Sequence, residues 1–558
     1  MKIIIPMSGY GERFRRAGYQ VPKPLIQVNK YKMIEHVIRM FSKEDEFIFI
    51  CNKDHLKKKE WQLEKIISES CHKYSIVPIN AHKLGPVYAV LMAKDFIEKE
   101  EPVVVNYCDF SCYWDWNKFK NDVLSKKYIG AIPAYKGFHP HTLGTTNYAY
   151  IKELNNMLID IKEKEPFTKN RMNEYASSGT YYFSNGEILI NSFEELLKRN
   201  LNVNGEFYVS LAYKIITETY KNIYIYPLQH FMQWGTPQDL EEFQYWENIF
   251  QKLSNRNHFL NLRNDLQKGT LIIPMAGLGK RFADEGYKKT KPLIEVSGKP
   301  MVTQSINDLP RYENQIIILR EDMPEYNQTF SLLKTEYPNA IIKTIPGITK
   351  GQAITTLEGI NALPEKSNKY EPITISACDN GVIFKYKEFK KILADTNVDI
   401  IVWGAVGYAN AIRNPNMYGW IDNDKDDFIK KVSVKKPIES YKNKPIIIGT
   451  FTFKKSNELK TIIEKLIDKK DKVNGEYYLD SCINTALELG LKCKYFPVEH
   501  YICWGTPNDL KTFEYWQSCF HKWDLHKYKI ELDNDVPISK FAELKENFYK
   551  SQVFETDD

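Results

Sequence analysis

Ile3-Ile4-Ile5-Pro6-Met7-Ser8-Gly9-Tyr10-Gly11-Glu12-Arg13-Phe14 opens the chain, and Leu271-Ile272-Ile273-Pro274-Met275-Ala276-Gly277-Leu278-Gly279-Lys280-Arg281-Phe282 repeats its pattern. Each segment is an apolar run, a Gly-x-Gly turn and an arginine two residues on. A lysine follows the arginine by ten residues, within Lys23-Pro24-Leu25-Ile26 and Lys291-Pro292-Leu293-Ile294. A strand that ends in glycines lets backbone N–H groups converge on phosphate oxygens, and the helix N-terminus beyond favours negative charge. With the cations added, the pattern predicts two phosphate sites. It is not a Walker loop, which needs Gly-Lys-Ser/Thr. Nor is it the dinucleotide fingerprint, which needs a third glycine and a spaced acid.

The repetition runs much further. Gly11 and Gly279 are 268 residues apart, while Asp109 and Asp379, Gly205 and Gly475, and Trp234 and Trp504 are each 270 apart. Solenoid units run to roughly 20–50 residues, so a period this long reads as domain duplication. The 558 residues then divide into domain 1 (1–250), a polar linker (251–268), domain 2 (269–520) and a C-terminal extension (521–558). The extension has no counterpart in the first copy. It is expected to form a short docking helix and a frayed acidic end, Glu555-Thr556-Asp557-Asp558.

With 43% hydrophobic and 27% charged residues, each half can bury a core. A net charge of +6 with scattered lysines argues against a nucleic-acid surface. No apolar run reaches the roughly 20 residues that span a membrane. Nine cysteines without a CxxC pair argue against a disulfide framework or a zinc site, and no leader is expected ahead of the first strand. Cytoplasmic residence with reduced thiols is the expectation.

Short apolar runs at Lys2–Pro6, Phe47–Cys51, Pro102–Tyr107 and Ile223–Pro227 predict strands in the first half. Helical patterns at Met33–Phe41, Val87–Phe96 and Phe207–Thr219 lie between them. Thr270–Pro274, Gln315–Leu319, Ile373–Ala377 and Asp399–Trp403 are the strands expected of the second half. Such alternation implies an α/β fold, a mainly parallel sheet with helices on both faces.

These features together resemble the nucleotidylyltransferases that activate sugar phosphates and related compounds, whose signature is Gly-x-Gly-x-Arg followed by Lys-Pro-Leu. The resemblance covers roughly residues 1–250 and 269–520. It implies two tandem Rossmann-like domains of the nucleotide-diphospho-sugar transferase fold, which bind a nucleoside triphosphate and Mg2+ and release pyrophosphate. Ser8, Gly9 and Gly11, with Ala276, Gly277 and Gly279, would cradle the phosphates. Gly85 in Leu84-Gly85-Pro86-Val87 and Gly351 with Gln352 in Lys350-Gly351-Gln352-Ala353 fall where the family places its base-binding loop. Gln352 can bond a base edge and Pro86 cannot, so the copies are expected to differ. Asp109 and Asp379, each at the end of an apolar strand, match the family's magnesium aspartate, and ligands of open α/β sheets gather there.

Acceptor contacts implied by the resemblance are Gly179 and Gly449, Glu206 and Glu476 of the Asn-Gly-Glu segments, and Lys436. The last matches the family's Glu-Lys-Pro lysine, whereas Lys164-Glu165-Pro166 in the first copy is displaced by one residue. The second metal-binding aspartate that many relatives place before Gly-Thr-Pro is Gln233 here and Cys503 in the second copy. An amide oxygen can still serve magnesium; a thiol is a poor ligand for it.

The chemistry expected is in-line attack of the acceptor phosphate on the α-phosphorus of the nucleotide. A phosphate monoester is largely dianionic at neutral pH, with a second pKa of about 6, so no general base is required. Arg13 and Arg281 would stabilise the leaving pyrophosphate, and Lys23 and Lys291 the α-phosphoryl and incoming phosphate. The expected function is nucleoside monophosphate transfer to a sugar 1-phosphate or related ester, in the setting of surface polysaccharide precursors. The partners are small molecules, with no nucleic acid and no membrane span; a homo-oligomer is compatible. Two alternatives stand beside it. One copy is a silent regulatory domain, or the chain is a glycosyltransferase using a ready-made nucleotide sugar. The latter usually carries Asp-x-Asp at a strand end, whereas Asp422-Asn423-Asp424 lies in a polar turn-like stretch.

Overall fold

Ile3, Ile4 and Ile5 are all buried, so the first strand has no solvent face, as expected at the centre of a parallel sheet. The computed structural model describes residues 1–254, 265–364 and 370–550. Strand β1 (Lys2–Met7) runs parallel between β2 (Glu46–Asn52) and β4 (Val103–Asn106), and β3 (Lys73–Ile79) lies parallel outside β2. Beyond β4 the sheet changes direction. β9 (Thr180–Phe183) is antiparallel to both β4 and β5 (Gly130–Tyr135), and β10 (Ile223–Leu228) returns parallel to β5. The hairpin β6 (Ala149–Leu154)–β7 (Met157–Glu163), with β8 (Tyr175–Ser177), completes the far edge. The order is β8-β6-β7-β10-β5-β9-β4-β1-β2-β3.

Alternate residues of the central strands feed two cores. Ile4, Ile48 and Val105 pack with Val87, Leu189 and Phe193 on one face. Ile3, Phe47 and Val104 pack with Ile34, Trp116 and Phe119 on the other. This is the two-sided burial of an α/β domain.

The second half has its own sheet. Its strands are β11 (Leu266–Met275), β12 (Arg311–Arg320), β13 (Ile341–Ile345), β14 (Ile373–Ile375), β15 (Ile400–Ala405), β16 (Gly419–Asn423), β17 (Ile429–Val434), β18 (Ile446–Phe453) and β19 (Cys493–Pro497). They run in the order β13-β12-β11-β14-β18-β15-β19, with the hairpin β16–β17 attached through β18. Strand for strand this is the order β3-β2-β1-β4-β9-β5-β10 of the first sheet.

The described residues form two compact units, 1–247 with 549–550, and 248–548. Within the expected linker, helix Pro237–Leu253 continues to its end and β11 begins at Leu266; residues 255–264 lie outside the described residues, as does the acidic terminus 551–558. The C-terminal extension contains the helix Phe541–Tyr549, and Lys540 just before it pairs with Glu295 at 3.0 Å.

Candidate functional site

The carboxyl end of β1 delivers Ser8-Gly9-Tyr10-Gly11 to the rim of a cavity of about 580 Å3. Gly11 caps the short helix Glu12–Arg16 in the left-handed conformation, φ 62°, and Gly279 caps Lys280–Asp284 at φ 63°. Glycine, with no Cβ, adopts that backbone at the lowest cost. Lys23 starts a 3-10 turn, Lys23–Leu25, that the buried Pro24 and Leu25 anchor. Its ammonium is paired with the Asp109 carboxylate and donates to the Gly235 carbonyl at 3.1 Å. The second half repeats this arrangement: Lys291 Nζ lies 2.5 Å from Asp379 Oδ2 and 3.2 Å from the Gly505 carbonyl.

Asp109 lies in the turn between β4 and a short strand, Phe110–Tyr113, that pairs antiparallel with His230–Gln233. The register sets Gln233 opposite Phe110, and the Trp234 N–H donates to the Asp109 carbonyl at 3.0 Å. Gln233 and Asp109 are therefore neighbours. A Cβ on Gly235 would lie 2.6 Å from Gln233 Nε2 and 3.2 Å from Asp109 Oδ2, so the glycine makes room for both. Around Gly505 the corresponding groups are Asp379 Oδ2 at 3.1 Å and Cys503 Sγ at 3.4 Å.

Among the described residues no group of three or more His, Cys, Asp or Glu is placed to hold a metal ion. Magnesium often takes only one or two carboxylates and completes its shell with substrate phosphates and water. Asp109 beside the Gln233 amide fits that sparse demand. Burial pushes the Cys503 thiol well above its ordinary range, which keeps it protonated and makes it a poor partner for magnesium beside Asp379.

The loop at Gly85 and the Asn-Gly-Glu segment are tied together, a connection not expected from sequence. Phe207 N–H donates to the Leu84 carbonyl at 2.9 Å, and Val87 N–H to the Phe207 carbonyl at 3.2 Å. Tyr477 does the same with Lys350 and Ala353 at 2.8 and 3.1 Å. Gly85, φ 88°, stands so close that a Cβ would lie 2.7 Å from both the Phe207 nitrogen and oxygen. Asn204 and Gly205 form a two-residue turn with positive φ at both positions, closed by Val203–Glu206 bonds of 3.0 and 3.1 Å. That turn aims Glu206 at the cavity, where it accepts from the Tyr208 hydroxyl. Gly179, φ 96°, receives the Tyr107 N–H at 3.0 Å on its carbonyl and forms part of the same wall.

All the first-half residues singled out from sequence line this one cavity: Ser8, Gly9, Gly11, Arg13, Lys23, Gly85, Asp109, Gly179, Glu206 and Gln233. In the second half, Gly279 abuts Lys291, Gly351 abuts the Tyr477 backbone and Gly449 abuts Ala377. Ala276 is buried at the end of β11 just before Gly277, and Gln352 opens the helix Gln352–Asn361. Arg281 acts electrostatically on Lys435, Tyr418 and Tyr478, and Glu476 on Lys435 and Tyr478.

The lysine register differs from the expected one. Lys164 has φ 61°, donates its N–H to the Tyr148 carbonyl at 2.8 Å and lies 4.3 Å over the Tyr208 ring. Its counterpart is Lys435, with φ 53°, a 3.1 Å bond to the Tyr418 carbonyl and a place 5.5 Å over the Tyr478 ring. Lys436 is exposed beside it. The positive-φ residue puts a kink at the end of the hairpin, and that kink selects which lysine faces inward.

Glu163 is a site residue that the sequence reading missed. It ends β7, lines the cavity, and accepts from Ser210 Oγ at 2.6 Å. Burial raises its carboxyl pKa to about 7, with Glu206 adding to the shift and Ser210 and Lys164 opposing it. A raised folded-state pKa means the native state holds a proton that the unfolded chain releases above about pH 4.5. Its stabilising effect is therefore full below that pH and lost as pH rises through about 7. Glu163→Gln should flatten the fall in unfolding free energy between pH 5 and 8 by about 3 kcal/mol. Urea titrations at both values check it; parallel slopes in wild type and variant would refute it.

Parts of the chain are similar to known proteins. A family model described as "Nucleotidyl transferase" matches residues 2–244. The bifunctional protein GlmU of Campylobacter hominis is 27% identical over 233 residues, 40% of this chain and 48% of that protein. GlmU of Methanococcus maripaludis is 27% identical over 290 residues, 51% of this chain and 61% of that one. The chain thus spans about half the length of the curated relatives it matches. Among solved structures, a nucleoside-diphosphate-sugar pyrophosphorylase from Vibrio cholerae aligns with a TM-score of 0.36 at 20% identity, covering 43% of this chain and 98% of that one.

Proposed function

We propose that the chain, whose residues 2–244 match the nucleotidyl transferase family model, transfers a nucleoside monophosphate from a nucleoside triphosphate to a phosphorylated small-molecule acceptor, releasing pyrophosphate. The observation that carries this reading is the convergence of the glycine turn, Arg13, Lys23, Asp109 and Glu206 on one cavity. A sugar 1-phosphate is the acceptor class favoured, by analogy with the relatives. The domain bounds 1–250 and 269–520, the tandem origin of the halves, and a cytoplasmic role in surface polysaccharide precursors belong to the same proposal.

In this mechanism an acceptor phosphate oxygen forms a bond to the α-phosphorus as the bond to the β-phosphate oxygen breaks. The electron pair leaves with pyrophosphate, whose charge Arg13 neutralises. Lys23 leaves Asp109 to hold the α-phosphoryl oxygens, and Glu206 with Gly179 positions the acceptor. Asp109 and Gln233 would hold a magnesium ion, which supplies Lewis-acid neutralisation of the phosphates. In the second site Arg281, Lys291, Asp379, Glu476 and Gly449 take the same roles, with Gly277, Gly279, Gly351 and Gln352 on the nucleotide. Cys503 in place of Gln233 favours a second reading in which that half is slower or regulatory.

Pyrophosphate release, measured with four nucleoside triphosphates against a panel of phosphate esters, tests the proposal. Turnover should need both substrates, stop with EDTA and recover with magnesium. Consumption of a nucleotide sugar without pyrophosphate would point to glycosyl transfer instead. If neither Arg13→Ala nor Arg281→Ala lowered turnover, the site assignment would be wrong.

A further inference from the structure

The two halves place a carboxylate beside their inward lysine by different routes. In the first, the hairpin β6–β7 sets Glu163 opposite Ala149, and Ser210, second residue of the helix Val209–Thr219, donates to Glu163 at 2.6 Å. In the second, the hairpin β16–β17 sets Val434 opposite Gly419. The second residue of the matching helix, Leu479–Glu488, is Asp480. The acid has moved from strand to helix, and the strand position has become apolar.

A third exchange accompanies these two. A Cβ on Gly419 would lie 2.1 Å from Asp480 Oδ2 and 3.0 Å from its Cγ, so the methyl that Ala149 carries in the first half cannot be kept. Three positions in register have changed together, and one carboxylate against one lysine remains. Burial pushes the Asp480 carboxyl up to about 6, while Lys435 acts to keep it ionised. Ala149, Glu163 and Lys164 all line the first cavity, and their register counterparts are Gly419, Val434 and Lys435, so the Asp480 carboxylate against Gly419 stands on the matching wall of the second half.

We propose that Asp480 is a second acceptor-recognising carboxylate of the second site, beside Glu476, and that its place on the helix makes this site take a phosphorylated polyol different from that of the first. The proposal rests on the nucleotidyl-transfer reading and refines it. A carboxylate beside a phosphate-binding lysine accepts hydrogen bonds from hydroxyls near the phosphate. In the first site those bonds come from the strand side. In the second they come from the helix side, over an apolar Val434 that offers a hydroxyl nothing. The same hydroxyl pattern cannot satisfy both walls.

The test uses the full chain with Arg13→Ala, so that only the second site turns over. Pyrophosphate release is followed with glucose 1-phosphate, glucosamine 1-phosphate and glycerol 3-phosphate as probes. Asp480→Asn should raise the KM for the preferred probe about tenfold or more, the loss of a charge-assisted hydrogen bond, and leave the nucleotide KM nearly unchanged. The exchange Gly419→Ala with Val434→Glu and Asp480→Ser should shift the probe ranking toward that of the Arg281→Ala protein, in which only the first site works. An unchanged acceptor KM, an equal rise in both KM values, or identical rankings at the two sites would overturn the proposal. Should the triple exchange not fold, the near-isosteric Asp480→Asn still decides. If the unmodified chain released no pyrophosphate with any pair, nucleotidyl transfer itself would fail. Calorimetric binding of the three probes to Arg13→Ala with and without Asp480→Asn would then judge Asp480 alone: about tenfold weaker binding supports its role, equal affinity removes it.

Discussion

Lys23→Ala should lower pyrophosphate release at the first site by about two to three orders of magnitude, the cost of removing one preorganised charge from a phosphoryl-transfer site. Lys291→Ala should do the same at the second. Each lysine starts a turn locked by buried proline and leucine, and each ammonium meets one carboxylate and one glycine carbonyl. Such anchoring fixes the backbone of each lysine, so that only its side chain has to swing from the carboxylate to the phosphate. Truncation also leaves Asp109 without its partner, so loss of the lysine disturbs the ligand sphere as well. Lys23→Arg should rescue poorly, because a planar fork cannot reproduce a point charge between those two acceptors. The measurement is kcat for each variant with the other site silenced through Arg281→Ala or Arg13→Ala. A loss smaller than about tenfold would remove Lys23 from the chemistry.

Gly85→Ala carries the second large effect. Its φ of 88° is strained for any side chain, and the new methyl would press to 2.7 Å on the Phe207 nitrogen and oxygen. Backbone strain of about 1–3 kcal/mol and overpacking of about 1–3 kcal/mol both apply, so the unfolding free energy should fall by about 2–6 kcal/mol. Function should suffer beyond stability, because the two hydrogen bonds at Phe207 hold the segment carrying Glu206 against the Gly85 loop. KM for nucleotide and for acceptor should rise together. Gly205→Ala is the control: its φ is also positive, 80°, but a Cβ there meets nothing within 4 Å. It should cost only the backbone strain, about 1–3 kcal/mol. Denaturant unfolding of both variants checks the contrast, and equal destabilisation would sink the packing argument.

Much of the architecture was legible because local chemistry and fold agree. An unbroken Ile3-Ile4-Ile5 run can only be a strand buried on both faces, and Gly11 and Asp109 stand at strand ends, where an open α/β sheet gathers ligands. What escaped was set by long-range register. β9 enters antiparallel between two strands, and nothing within Thr180–Phe183 announces its direction. The inward lysine is Lys435, not Lys436, because a single positive-φ residue turns the chain, and a pair of adjacent lysines hides that choice. Glu163 was passed over for a related reason: it is one of two acids in Lys162-Glu163-Lys164-Glu165, and only the fold shows which of them is buried against Ser210. The tie between Gly85 and Phe207 joins positions more than a hundred residues apart and has no sequence signature at all.

The lysine–aspartate pair has a consequence for the order in which a site loads. With Lys23 on Asp109, neither group is free for its own ligand, and the same holds for Lys291 on Asp379. A phosphate that draws the lysine away uncovers the carboxylate for a cation, and a cation on the carboxylate releases the lysine for phosphate. The two ligands are thus positively coupled, and by reciprocity each tightens the other by the same factor. Calorimetry with magnesium alone, triphosphate alone and both together should show this heterotropic cooperativity at each site, and Lys23→Ala should abolish it at the first site while leaving it at the second.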